Sequence, residues 1–225
     1  MMKLRYFGHS AFELVTQAGT RILIDPFLDD NPLSPVKSSE LTADYIIVTH
    51  AHGDHLGDTA KIATTASTVI CVPELAGYLQ KQGLNTHAMQ IGGAFDFDFG
   101  KVKLCKAEHG SLTPDGKYAG LAAGVILIIE DKTIYHAGDT GIFGDMKLIA
   151  ELHPIDYFLV PIGGNYTMDI PDAALAASWI RPKLAIPMHY NTFPLIAVNP
   201  EDFITATQKY GVSSRIMKPG EIIKL

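Results

Sequence analysis

Cysteine is scarce in this chain. Its 225 residues include only Cys71 and Cys105, each inside a separate apolar segment. Neither belongs to a Cys-x-x-Cys pair, which disfavours both a disulfide framework and a zinc site built from thiolates. We expect both residues to be buried, reduced thiols that pack as small hydrophobic side chains.

Long apolar runs and targeting signals are also missing. The longest apolar stretch, 121–129, is far too short to span a membrane and is predicted to be a buried strand. The first nine residues show neither the apolar segment nor the cleavage site of a secretory signal peptide. The sequence therefore predicts a cytoplasmic protein with no membrane partner.

Basic residues are outnumbered. The 18 Lys and Arg residues stand against 24 Asp and Glu, which gives a net charge of −6. Strong non-specific binding to nucleic acid depends on a basic surface, so a nucleic-acid partner is not expected. A small, even anionic, substrate at a positive metal centre remains compatible with this charge. With 47% hydrophobic residues, the chain is predicted to form one folded domain over 1–225.

Histidine, in contrast, is concentrated in one place. Residues 49–55 read Thr-His-Ala-His-Gly-Asp-His, so His50, His52, Asp54 and His55 bring three imidazoles and a carboxylate into six positions. Imidazole is the commonest metal ligand in proteins, and a carboxylate adds a hard oxygen donor. A chance match in a chain of this composition is on the order of one in a thousand. A metal site is therefore favoured over a solvated, histidine-rich turn.

Strand-like runs alternate with short helical patterns along the whole chain. In each half of the chain, strands come first and a mixture of strands and helices follows. This order favours an α/β fold, a four-layer αββα sandwich. In such a fold two mixed sheets pack face to face, with the helices outside. The predicted strands are 4–6, 11–16, 21–25, 45–48, 68–72, 95–99, 102–107, 121–130, 133–136, 157–160, 183–187 and 222–225, and the predicted helices are 58–66, 74–82, 145–152, 172–179 and 201–210.

Four more polar residues stand directly after apolar runs. They are Asp25, His109, Asp139 and His189. Taken singly, each has an ordinary explanation, because aspartate is common in turns and a lone histidine is often a satisfied, partly buried side chain. The ends of strands in α/β proteins share one edge, however, so these side chains are expected to meet the histidine cluster in a common cleft.

Taken together, these residues resemble the motifs of the metallo-β-lactamase superfamily across nearly the whole chain. The five motifs, in order, are Asp25, His50-x-His52-x-Asp54-His55, His109, Asp139 in Gly-Asp-Thr and His189 in Met-His-Tyr. The resemblance implies that Asp25 is a buried structural residue that braces the histidine loop. It also implies two metal ions, one held by His50, His52 and His109, the other by Asp54, His55 and His189, with Asp139 bridging both.

The sequence Gly8-His9-Ser10, followed by Asp25-Pro26, resembles a small stand-alone branch of metal-dependent hydrolases that is related to L-ascorbate-6-phosphate lactonase. His9 is then either a turn residue or a cleft residue that contacts substrate. Asp54, Asp139 and His9 are the catalytic candidates. The chain lacks the insertion that tRNA-processing nucleases of the superfamily use, and the added domain of glyoxalase II.

We therefore expect a dinuclear metal-dependent hydrolase that uses a metal-bridging hydroxide on a small ester-like substrate, a lactone or phosphoester. Nitrogen and oxygen ligands suit zinc or manganese, and iron or nickel as well. The alternatives are a phosphodiesterase or nuclease of the same fold, a di-iron redox protein, and a non-catalytic metal-binding protein. A homo-oligomer is compatible with the sequence. The loop 163–167 and the segment 190–192 are candidates for lining a polar pocket.

Overall fold

A computed structural model describes all 225 residues, Met1 to Leu225. Its strands and helices follow the predicted order closely. The strands are β1 (Lys3–Gly8), β2 (Ala11–Val15), β3 (Arg21–Ile24), β4 (Tyr45–Ile47), β5 (Thr68–Cys71), β6 (Thr86–Ala88), β7 (Ala94–Phe97), β8 (Gly100–Lys106), β9 (Ala123–Ile129), β10 (Lys132–His136), β11 (Tyr157–Pro161), β12 (Leu184–Met188) and β13 (Ile222–Lys224). The helices are α1 (Gly53–Leu56), α2 (Thr59–Ile62), α3 (Pro73–Gln80), α4 (Met146–Leu152), α5 (Ile170–Ile180) and α6 (Pro200–Gln208).

The strands form two mixed sheets. The first has seven strands in the order β13-β1-β2-β3-β4-β5-β6, and the second has six in the order β12-β11-β10-β9-β8-β7. Strands β3 to β6 run parallel, as do β10, β11 and β12, while the remaining pairs are antiparallel. Because parallel strands end at the same edge, the loops that follow β3, β4, β10 and β12 gather at one end of the molecule.

Alternation along the strands divides the core into two layers. In β9, Val125 and Leu127 join a cluster of 42 buried residues that both sheets share. Ile126, between them, belongs to a second cluster of 20 residues that includes side chains of α4, α5 and α6. Successive side chains of a strand point to opposite faces, so one face of this sheet packs on the other sheet and the opposite face packs on helices. The predicted α/β sandwich of two mixed sheets with helices is confirmed.

Three local features differ from the prediction. Strand β6 was not predicted, because Thr86-His87-Ala88 is short and carries little hydrophobic pattern. The predicted helix 58–66 is shorter than expected, since α2 covers only Thr59–Ile62, and α1 before it was not predicted. Asp58 was expected to cap the start of this helix, but its side chain does not; its Oδ2 accepts hydrogen bonds from the backbone N–H groups of Leu28 and Asp29 at 3.0 and 2.8 Å.

Cys71 and Cys105 are both free and buried, as expected. Burial raises the pKa of each thiol to about 12. None of the helices combines the length and the apolar character needed to cross a membrane.

Candidate metal centre

The structure brings the predicted site residues together at one end of the sandwich. His50 follows β4, His109 follows β8, Asp139 follows β10 and His189 follows β12. The backbone takes the left-handed conformation at His189, with φ of 54°, which is uncommon for a residue with a side chain. Such strain persists only where surrounding contacts enforce it, and it often marks functional positions.

Three histidines form the first group of ligand atoms. The Nδ1 of His52 lies 3.0 Å from Nε2 of His50 and 3.3 Å from Nε2 of His109. Two of these residues lie on the loop between β4 and α1, and the third comes from the second sheet. Three imidazole nitrogens at these separations match the donor set of a metal site that takes histidine ligands.

Asp25 determines which nitrogen of two histidines faces the site. Its carboxylate accepts hydrogen bonds from the backbone N–H and the hydroxyl of Thr49, at 2.8 and 2.6 Å, and from Nδ1 of His55 at 2.7 Å. The Thr49 hydroxyl donates to Asp25, so it accepts from Nδ1 of His50, 3.1 Å away. Both histidines therefore carry a proton on Nδ1, and both turn Nε2 towards the site. This is the bracing role that the sequence implied for Asp25.

Asp139 connects the first group with a second one. Its Oδ1 lies 3.1 Å from Nε2 of His55, and its Oδ2 lies 2.9 Å from Nε2 of His189 and 3.6 Å from Nε2 of His109. The Nε2 of His55, both ring nitrogens of His189 and the Oδ1 of Asp139 are buried, yet none makes a hydrogen bond of acceptable geometry. Buried polar atoms are almost always satisfied. Unpaired ligand atoms that converge on one place fit a cation.

The charges of Asp139 and the histidines around it favour a positive charge between them. Burial alone would raise the pKa of Asp139, but His189 and His55 hold it well below its usual range. Burial alone would lower the pKa of His55, but Asp139 and Asp25 raise it. Burial, reinforced by His55, lowers the pKa of His50. Protons and metal ions compete for such nitrogens, so a divalent cation can replace the proton of His55 as the positive charge beside these carboxylates.

His9 lies behind the cleft. Its ring is fully buried and does not line the cavity, so of the two alternatives that the sequence left open, the residue that contacts substrate is disfavoured. Its Nε2 lies 3.1 Å from Oδ2 of Asp54, and its Nδ1 lies 2.9 Å from Oγ1 of Thr192. Burial, with the nearby His189, lowers the pKa of His9 to about 4. A neutral His9 can thus accept from Thr192 and donate to Asp54, which makes it a hydrogen-bond partner of a predicted ligand.

Asp54 itself is partly exposed at the cleft. Burial would raise the pKa of its carboxyl, but the hydrogen bond from His9 and the charge of His55 hold it below its usual range. One oxygen faces His9, which leaves the other available to a cation. His136 has a related supporting role: its Nε2 lies 3.0 Å from the carbonyl of Ser10, and its Nδ1 accepts from the N–H of Gly138 at 3.1 Å.

A cavity of about 440 Å³ opens onto these groups. Five of the predicted metal ligands line it, and no lysine or arginine does. Of the two candidate loops, 163–167 contributes Tyr166, whereas the polar side chains of 190–192 do not line the cavity.

Phe193, Pro194 and Leu195, which complete the lining of the cavity, were not identified from the sequence. The signal available was that an apolar triplet follows the last histidine motif after two intervening residues. The ligands in the lining are His52, Asp54, His109, Asp139 and His189.

Comparisons with known proteins agree with this geometry. A family model described as a β-lactamase superfamily domain matches residues 20–190. A UPF0173 metal-dependent hydrolase of Geobacillus sp. strain WCH70 is 51% identical over 229 residues, with both chains covered completely. Another, from Carboxydothermus hydrogenoformans, is 49% identical over 227 residues, again with complete coverage.

Among solved structures, this chain is similar to Igni18, a metallo hydrolase from the hyperthermophilic archaeon Ignicoccus hospitalis. The TM-score is 0.90 at 38% identity, and the match covers 99% of this chain and 97% of the other. The sequence match extends over the full length, and the ligand atoms converge as a metal site requires. The chain therefore belongs to the β-lactamase superfamily and is a metal-dependent hydrolase of the UPF0173 group.

Proposed function

We propose that this hydrolase binds two divalent cations and cleaves a small ester-like bond, in a lactone, a carboxylic ester or a phosphoester. The observation that carries the proposal is the position of Asp139. Its two oxygens face His55 on one side and His189 and His109 on the other, without hydrogen bonds of good geometry. A carboxylate in that position is suited to hold two cations close together.

Seven side chains would hold the cations, and zinc or manganese suits their nitrogen and oxygen donors. When bound, such ions would polarise the bond to be cleaved and bring the pKa of a water molecule towards neutrality. His9 lies close to Asp54, His55 and His189, but its two nitrogens contact Thr192 and Asp54, so we assign it as a partner of Asp54 and not as a ligand. The proposed set is His50, His52 and His109 for the first cation, Asp54, His55 and His189 for the second, and Asp139 for both.

The remaining residues of the site orient these ligands. Asp25 and Thr49 fix the imidazoles of His50 and His55, and His9 fixes one oxygen of Asp54. Ligands that are held in place before the cations arrive need no rearrangement during the reaction, which is how preorganised sites stabilise developing charge.

A small-molecule substrate fits this site better than a nucleic acid. The cavity of about 440 Å³ has the size of a small-ligand pocket, and no lysine or arginine lines it. A nucleic-acid backbone is normally met by clusters of basic side chains.

The test is a substrate panel on the metal-loaded enzyme, with neutral p-nitrophenyl esters, lactones and bis-p-nitrophenyl phosphate. We expect hydrolysis of at least one class, and loss of it after treatment with a chelator and in the Asp139→Asn variant. A folded enzyme with a full complement of metal that hydrolyses nothing on the panel would overturn the proposal. That outcome would favour a metal-binding protein without catalysis.

A further inference from the structure

We propose that the apolar wall of the cavity, Tyr166, Phe193, Pro194 and Leu195, selects substrates by binding an uncharged, apolar group next to the bond that is cleaved. The substrate class that fits is a neutral carboxylic ester or lactone with an apolar substituent, in preference to a phosphoester. This inference rests on the hydrolytic function proposed above and narrows its substrate.

The chemistry of the lining carries the inference. Apart from the five metal ligands, the hydroxyl of Tyr166 is the only polar side-chain group that lines the cavity. Phosphoryl oxygens are usually bound by Arg or Lys side chains, or by backbone N–H groups at helix N-termini. An anionic group beyond the reach of the cations would therefore lose its water here without gaining a partner.

The wall is apolar surface that the fold itself leaves uncovered. Leu195 is 65% exposed and Tyr166 is 51% exposed, although both stand beside a buried group of ligands. The neighbouring residues on the same segment serve the fold instead, because Ile196 is completely buried and Thr192 contacts His9. Apolar side chains that are exposed together at the mouth of a cleft mark a binding surface.

Backbone hydrogen bonds hold the segment of Phe193 to Leu195 in place. The N–H of Asn191 donates to the carbonyl of Ile196 at 2.9 Å, and the N–H of Ile196 donates to the carbonyl of Phe193 at 3.1 Å. The side chain of Asn191 also accepts from the N–H of Val198 at 2.8 Å. A wall that is fixed in this way loses little entropy when it binds a ligand.

The loop that carries Tyr166 is tied to the metal centre. The N–H of Met168 donates to the carbonyl of Thr140, the residue after Asp139, at 2.9 Å. The N–H of Gly164 then donates to the carbonyl of Met168 at 3.0 Å and closes the loop. Both parts of the wall are therefore connected directly to segments that supply metal ligands.

The experiment measures kcat/KM of the metal-loaded enzyme for p-nitrophenyl acetate, butyrate and hexanoate, and for bis-p-nitrophenyl phosphate. We expect kcat/KM to rise by about two- to fourfold per methylene until the wall is covered, the effect of burying a methylene group. Leu195→Asn should reduce the ratio of hexanoate to acetate. Leu152→Asn is the matched control, since Leu152 is 69% exposed and does not line this cavity, and it should keep the ratio.

The outcomes separate this inference from the function on which it rests. Hydrolysis without dependence on chain length, or a preference for bis-p-nitrophenyl phosphate over every neutral ester, overturns the apolar selection and leaves the hydrolytic function standing. An equal loss of chain-length dependence in both leucine variants also overturns it. Failure to hydrolyse any ester, lactone or phosphodiester overturns the hydrolytic function, and the inference with it.

Discussion

At the scale of the residue, Asp25 orients the side chains of a site to which it contributes no ligand atom. It accepts three hydrogen bonds in a fully buried position, two from Thr49 and one from His55. Its backbone takes the left-handed conformation, with φ of 46°. The tautomers of His50 and His55 both depend on this carboxylate, so a change here reaches both proposed cation sites.

Asp25→Asn tests that dependence. An amide offers a single acceptor oxygen to three donors, so we expect metal affinity to fall about 10- to 100-fold. Unfolding free energy should fall by about 1–3 kcal/mol, because buried donors lose their partners. Isothermal titration with zinc and urea unfolding in chelator measure the two effects.

Asp58→Asn is the matched control for Asp25→Asn. Asp58 is also buried and accepts backbone hydrogen bonds, from Leu28 and Asp29, but it holds no histidine. The Asp58→Asn variant should have a lower free energy of unfolding and an unchanged metal affinity. Equal losses of metal affinity in the two variants would show that Asp25 acts only through general stability.

His136, which is not a proposed metal ligand, makes the stability of the folded protein depend on pH. Burial lowers its pKa from the ordinary value of 6.5, so the unfolded chain binds a proton that the folded chain does not. The neutral, buried imidazole of His136 therefore contributes fully to the free energy of unfolding above pH 6.5, and this contribution is lost as the pH falls below 6.5.

We expect His136→Gln to weaken the decline in unfolding free energy between pH 7 and pH 5. Urea unfolding of metal-free protein measures it, with His87→Gln on β6 as control. An unchanged decline in His136→Gln would contradict this account.

At the scale of the element, α1 is the unit that presents the second half of the histidine motif. This helix has only four residues, yet it carries both Asp54 and His55. It ends at Leu56 and is followed by Gly57, which has φ of 46° and lies against the loop that follows Asp25. The N–H of Asp58 donates to the carbonyl of Pro26 at 2.9 Å and fixes the same contact. The motif is therefore positioned by close packing of two loops as well as by its own short helix.

Gly57→Ala tests this close packing. A Cβ at this position would lie 2.5 Å from the carbonyl oxygen of Pro26 and 2.7 Å from Cα of Phe27, on a backbone that disfavours side chains. We expect a loss of about 1–3 kcal/mol in unfolding free energy and weaker metal binding.

Gly77→Ala on α3 is the control. A Cβ there meets no atom within 4 Å, so it should stabilise by about 0.5–1 kcal/mol. Similar effects of the two alanines on stability would contradict the argument.

Elements also show why the sequence predicts some features and not others. The proposed ligands were recognisable because His109, Asp139 and His189 each follow an apolar run, where a strand ends. Helix α1 was not, because its end is set by the contact of Gly57 with a loop that is distant in sequence. Strand β6 was missed for a similar reason, since its pairing with β5 follows the connection through α3. Long-range contacts of this kind leave no local pattern.

At the scale of the whole molecule, the sandwich serves to bring ligands from two sheets to one edge. The first sheet supplies the histidine motif after β4, and the second supplies His109, Asp139 and His189 after three of its strands. The large core shared by the two sheets fixes their relative position. The proposed ligand set could be derived from the sequence because it is spread over sequence motifs. The apolar wall could not, because Phe193 to Leu195 read as an ordinary loop until the fold places them at the cavity.

The central claim is that Asp139 joins two cation sites in one chain. The most direct test is a calorimetric titration of the metal-free wild type and of Asp139→Asn with zinc, with bound metal counted by elemental analysis after gel filtration. We expect two ions per chain in the wild type, and loss of at least one in the variant, because an amide cannot supply two anionic oxygens. Saturation of the wild type at a single ion, or two ions bound with unchanged affinity by Asp139→Asn, would contradict the account.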